Sequence, residues 1–139
     1  MNKKTKPICY LSGSIRNTSI QERLQWRDCV QQQYSSEFSF LDPTRQPSAT
    51  LENGKKIIAQ DKQDIAESDA VLVHLLKYSA GTMMELHLAF SLGKLVVIVA
   101  PLEFHDDIWL REHCHFHACC HFNFSKRTFL SLRQICHLN

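Results

Sequence analysis

Glycine and proline are scarce in this sequence, four of each in 139 residues, which excludes a collagen-like or Gly/Pro-rich disordered chain. Long apolar runs are also missing. The longest aliphatic stretch, Leu95 to Ala100, is far short of the roughly 20 residues that span a bilayer as a helix. Lys3, Lys4 and Lys6 read as a solvated tail with no apolar signal segment behind them, so the expected setting is cytoplasmic, with no membrane partner. An excess of one charge is absent too: 16 Lys and Arg against 14 Asp and Glu leave +2, too little for a surface that grips a nucleic-acid polymer. A small charged ligand stays compatible with that balance. What the sequence does have is 44% hydrophobic and 22% charged residues, the composition of a folded protein, and its length suits one domain over residues 1–139. Without a secretory signal, the six cysteines (Cys9, Cys29, Cys114, Cys119, Cys120 and Cys136) read as reduced, mostly packing thiols rather than a disulfide framework.

Ile8 to Leu11 is a short apolar run ending in Ser12-Gly13-Ser14, and Ser19 to Gln33 reads as a polar helix carrying Leu24, Trp26 and Val30. Phe38 to Leu41 gives a second strand, closed by Asp42-Pro43 because the residue before proline is pushed out of the helical region. Ile57, Ile58, Ile65 and Ala66 place one buried stripe on a helix from about Leu51 to Glu67. Ala70 to Leu76 and Leu95 to Ala100 are nearly unbroken Val/Leu/Ile runs, the pattern of parallel strands covered on both faces, with a helix over Thr82 to Leu92 between them. Ser125 is placed to cap a final helix through Leu132 to Cys136. The alternation implies an α/β fold: a flavodoxin/Rossmann-like open sheet of about five mostly parallel strands with helices on both faces. In such folds ligands sit beyond the carboxyl ends of the strands.

Two constellations fall at those ends. Gly13 and Ser14 lie where the first strand hands over to its helix, where backbone amides can bind phosphate, and Arg16 adds a forked donor; the plainer reading is a glycine that permits a tight turn. Ser79-Ala80-Gly81-Thr82-Met83-Met84-Glu85 lies just past the third strand, with Glu85 in the first turns of the next helix. A glutamate there can simply answer the helix dipole. It can also trap an oxocarbenium-like sugar as a covalent ester while a second acid helps the leaving group, and Asp61 is the candidate second acid. Asp64 and Asp69 read as cap or solvent residues.

Taken together, Tyr10-Leu-Ser-Gly-Ser-Ile-Arg16, Asp42-Pro43, Asp61, Ser68-Asp69-Ala-Val-Leu-Val73, Gly81-Thr82-x-x-Glu85 and Gly93-Lys94 resemble the nucleoside 2-deoxyribosyltransferase-like family, which includes the 2'-deoxynucleoside 5'-monophosphate N-hydrolases. The resemblance spans most of the chain. It implies Glu85 as the nucleophile at the anomeric carbon, Tyr10 holding that carboxylate and Asp61 interacting with the base, while Asp69 is structural. Six residues before the nucleophile the transferases often carry an acid and the hydrolases a serine; here it is Ser79. Gly13, Ser14, Ile15 and Arg16 resemble the hydrolases' phosphate-contacting turn, so with Ser79 and Gly81 they are the expected substrate-binding residues. Asn17-Thr18 stand where those hydrolases tend to have glycines, and Met83-Met84 replace their more usual residues.

The resemblance implies no cofactor, a small nucleoside or nucleotide substrate, and a homodimer or larger homo-oligomer. Hydrolysis of a 2'-deoxynucleoside 5'-monophosphate is the leading expectation, base exchange by a transferase the alternative, and a nucleotide-binding or sensor domain without turnover the reading from another class. The joint presence of Tyr10, Asp61 and Glu85 favours catalysis, because a binding module has no use for a nucleophilic carboxylate held by a phenol. The carboxyl-terminal third resembles the family least. Its His113, Cys114, His115, His117, Cys119, Cys120 and His121 invite a metal, yet their spacing matches no standard zinc arrangement, so an outer strand with one polar face is preferred and no metal ligand is assigned. Trp26 and Trp109 read as packing residues, with Trp109 placed to reach a neighbouring subunit.

Overall fold

The computed structural model describes the backbone of residues 5–119 and the side chains of residues 5–115. The helix expected near the carboxyl terminus lies outside the described residues.

Five parallel strands form one sheet in the order β2-β1-β3-β4-β5: β1 is Ile8–Gly13, β2 Ser39–Leu41, β3 Ala70–His74, β4 Leu95–Ala100 and β5 Phe116–Cys119. The register runs Tyr10 beside Leu41 and Val71, Val71 beside Val96, and Val97 beside Phe116. β1, β3 and β4 form the sheet's interior and are almost entirely buried, which is why they read as unbroken apolar runs rather than as alternating ones. With period two, alternate residues feed two separate cores. Cys9, Leu11, Ala70, Leu72 and Val97 pack against Trp26 and Val30 of α1 (Ile20–Tyr34). Tyr10, Val71, Val73, Val96 and Ile98 pack on the other face against Ile65 of α2 (Gly54–Glu67), Leu86 and Ala89 of α3 (Ala80–Ser91) and Leu110 of α4 (Ile108–Glu112).

The helix starts are set by side-chain caps. Ser19 accepts from the Glu22 amide while Glu22 reaches back to the Ser19 amide, a reciprocal capping box, and Ser79 and Asp107 cap α3 and α4. α1 begins at Ile20, behind its Ser19 cap and within a residue of the expected start, whereas the Ser79 cap sets the start of α3 at Ala80 rather than Thr82. α2 begins at Gly54, because Thr50 and Asn53 bond one another in a turn that occupies the segment around Leu51. β3 ends at His74, two residues early, although the Leu75 amide still donates to Val99. Asp69 is structural as expected: its carboxylate accepts from the Ile8 amide at 2.7 Å and ties the entry of β3 to that of β1.

Strand order reverses between β1 and β3, since the chain runs outward to β2 on one side and to β4 and β5 on the other. The crevice at their carboxyl ends is the topological switch point, where open α/β sheets bind ligands.

Candidate active site

Tyr10 and Ser12 are two residues apart on β1, so both project toward the face that carries α2 and α3. Glu85, in the second turn of α3, meets them there; its Oε2 is sealed from solvent, and the Tyr10 and Ser12 hydroxyls are near enough to act on it as donors. Burial dominates its titration and raises it to about 7, against the opposing pull of the Tyr10 and Ser12 hydroxyls; Asp61 raises it further and Arg27 lowers it. The same neighbours act in reverse on Tyr10: burial first, then the charges of Glu85 and Asp61, push its phenol up and keep it a donor. Asp61 comes from α2, partly buried, with Gln46 Nε2 donating to its Oδ1 at 2.7 Å. Burial and Asp64 raise it to about 6. Tyr10, Asp61 and Glu85, widely separated in sequence, therefore share one electrostatic site.

The expected phosphate residues fall at the mouths of two adjacent loops. Ser14 is buried and its Oγ donates to the Lys77 carbonyl at 3.4 Å, which joins the loop after β1 to the loop after β3. Lys77 Nζ donates to the Asn17 carbonyl at 2.7 Å and lies 3.7 Å from Glu22. Asn17 has φ 59°, the left-handed region, which asparagine enters more readily than most residues and which suits a position where glycine would serve. Arg16 and Gly81 are exposed, Ile15 is half-buried, and Ser79 Oγ accepts from the Thr82 amide as the cap of α3.

One expectation needs correcting. Gly13 and Ser14 do not open a helix, because the strand continues through Gly13 and a five-residue-scale loop precedes the Ser19 cap, whose own side chain and Glu22 already serve the first amides of α1. Gly13 is required for close packing instead: a Cβ there would stand 2.8 Å from Trp26 Cζ2 and 3.1 Å from the His74 carbonyl.

Behind this glycine lies a group that sequence reading missed. Arg27 is fully buried, donates through Nη2 to the Gly13 carbonyl at 3.0 Å, sits 4.4 Å over the Trp26 ring, and pairs through Nε with Asp42 Oδ1 at 3.7 Å. Asp42 is itself held by Thr44 and by Gln31. Burial lowers the Arg27 titration, and Asp42, Glu85 and Tyr10 oppose that. His74 also stacks on Trp26, ring centroids 4.7 Å apart, and burial and the Arg27 charge push it down to about 4, so it stays neutral. The available signal was position: Arg27 falls beside Trp26 and three residues before Val30, on the buried stripe of α1.

In the carboxyl-terminal segment, His113 stacks on Trp109, approaches His87 and Phe90, and donates from Nδ1 to the Trp109 carbonyl at 2.6 Å. His115 Nδ1 accepts from the Val96 amide at 3.1 Å. Both imidazoles are thus engaged in packing and strand-edge bonding. Among the described residues no group of three or more His, Cys, Asp or Glu is placed to hold a metal. The side chains of His117, Cys119, Cys120 and His121 lie outside the described residues. Trp109 is exposed rather than packed, at 78% of its area. No described helix is long and apolar enough to cross a membrane.

The sequence matches no protein-family model and no curated protein. Solved structures do match. A 2-deoxyribosyltransferase from Leishmania mexicana superposes with a TM-score of 0.66 at 16% identity, covering 92% of this chain and 97% of that one. This chain shares its fold. The 2-deoxyribosyltransferase of Bacillus psychrosaccharolyticus gives 0.65 at 17% identity, covering 87% and 94%. A CMP N-glycosidase from Clostridium botulinum gives 0.57 at 15% identity, covering 94% and 98%. The likeness of these folds agrees with the open α/β sheet read from the sequence.

Proposed function

We propose that this chain cleaves the N-glycosidic bond of a 2'-deoxynucleoside 5'-monophosphate, with Glu85 as nucleophile. The observation that carries the reading is the Glu85 carboxylate, buried at the switch point of the sheet against the Tyr10 and Ser12 hydroxyls and held near pH 7 in its titration. A glutamate that merely answered the dipole of α3 would stand in solvent near its amino terminus. Glu85 stands one turn further on and points inward.

In the first step a Glu85 oxygen forms a bond to C1' as the C1'–N bond breaks, and the electron pair leaves with the base, which takes a proton from Asp61 or water. In the second step water attacks C1', the ester bond breaks to restore the carboxylate, and the water proton passes to Asp61 or solvent. Tyr10 orients the carboxylate throughout. The exposed Arg16 and Gly81 and the Ser14 and Ser79 hydroxyls, at the mouths of the neighbouring loops, are the groups offered to the 5'-phosphate.

Two of the similar structures are named as deoxyribosyltransferases, which supports a second reading in which another base rather than water resolves the same ester. Chromatography of free base distinguishes the two, with each 2'-deoxynucleoside and its 5'-monophosphate incubated with and without a second base. Base release from monophosphates alone, lowered at least about 10³-fold in Glu85→Ala, is the expected result. Exchange that needs an acceptor base would make the protein a transferase, and full activity in Glu85→Ala would overturn the mechanism.

A further inference from the structure

β1 carries a polar residue where its neighbours are apolar. Ser12 is wholly buried on the face that packs against α3, and its Oγ, Tyr10 Oη and Glu85 Oε2 are three sealed polar atoms with no fully formed bond to any other described residue. A buried hydroxyl left without a partner is costly, so a serine at this point of a core strand needs an acceptor. The acceptor within reach is the glutamate.

We propose that Ser12 is a positioning residue: its hydroxyl joins the Tyr10 phenol as a second donor to the Glu85 carboxylate and holds it for attack on C1' of the substrate. The inference rests on Glu85 being the nucleophile. Two donors restrict the orientation of the carboxylate, and they favour its ionised, attacking form against the burial that disfavours it. Tyr10 alone would leave rotation about the carboxylate free; a second donor from the same strand, two residues on, removes it. A serine present only as a small filler would have neither effect.

The test compares Ser12→Ala and Tyr10→Phe, each of which removes one hydroxyl and little volume. The Glu85 titration is followed by carbon NMR of the side-chain carboxyl, assigned with Glu85→Gln, in the absence of substrate. Each variant is expected to raise the Glu85 midpoint by about one pH unit, the size of one lost charge-assisted hydrogen bond. With monophosphate as substrate, kcat/KM and kcat at pH 6 should fall about tenfold with KM little changed, and the alkaline limb of kcat/KM, which follows the higher of the two titrations, should move up by about one pH unit. An unchanged Glu85 midpoint and an unchanged alkaline limb in a folded Ser12→Ala protein would overturn the proposal. Because the NMR titration needs no turnover, a shifted midpoint in the variants of a protein whose wild type releases no base would keep the hydroxyl contact and overturn only the assignment of Glu85 as nucleophile.

Discussion

Glu85 sits where its charged form is disfavoured, and that has a consequence for stability as well as for reaction. Its folded titration lies near 7, above the ordinary 4.5, so between those values the folded chain holds a proton that the unfolded chain has released. The stabilisation is fully present below 4.5 and is lost as pH rises through 7. Glu85→Gln removes this dependence. The difference in unfolding free energy between Glu85→Gln and wild type, read from urea unfolding, is therefore expected to widen in the variant's favour from pH 4.5 to 8, by as much as about 3 kcal/mol, and a flat difference would contradict the burial of this carboxylate. In the proposed mechanism activity runs the other way, because the attacking form is the ionised one. With Asp61 near 6 and Glu85 near 7, the pair titrates together, and kcat/KM measured across pH is expected to be a narrow bell centred between those values.

At the scale of elements, the contact between β1 and α1 is the most demanding in the described structure. Gly13 meets Trp26 and Arg27 so closely that an added methyl group overlaps the indole. Gly13→Ala is expected to cost about 1–3 kcal/mol in urea unfolding, and Trp26→Phe in the same chain to recover part of it, since the nearest atom, Cζ2, belongs to the larger ring. An additive pair of effects would argue against that contact. The start of α1 depends on its capping box, so Ser19→Ala should lower stability by about 1 kcal/mol and leave base release unchanged. The cap also ends the loop after β1 at a defined point, with Lys77 bonded to the Asn17 carbonyl across it.

Across the whole molecule, two cores of alternate strand residues hold the sheet, and the buried polar groups gather at one end of it. His74 and Arg27 lie toward α1, while Tyr10, Glu85 and Asp61 lie toward α2 and α3. His74 titrates near 4 when folded, below its ordinary 6.5, so its contribution is present above 6.5 and is lost as pH falls toward 4. The stability cost of His74→Gln, read as the difference in urea midpoint, is accordingly expected to be larger at pH 7.5 than at 4.5. Equal costs at the two values would mean that the imidazole is not held neutral. The acid-sensitive histidine and the alkali-sensitive glutamate thus oppose one another across the sheet.

The parallel α/β sheet was legible in one dimension, because strands covered on both faces must be apolar throughout and Val71, Leu72, Val96 and Val97 announce that. Motif spacing, rather than any property of the single residues, also made Tyr10, Asp61 and Glu85 candidates. The tertiary structure decided what one-dimensional patterns do not contain. A charged side chain is assigned to solvent until its partners are known, so Arg27 emerged only when α1 laid it over Gly13 beside Asp42. The reason for Gly13 changed from a turn to a close approach because Trp26, thirteen residues later, packs against it. Ser12 acquired a partner only when α3 brought Glu85 onto the same face of β1, since burial and hydrogen-bond reach depend on elements far apart in the chain.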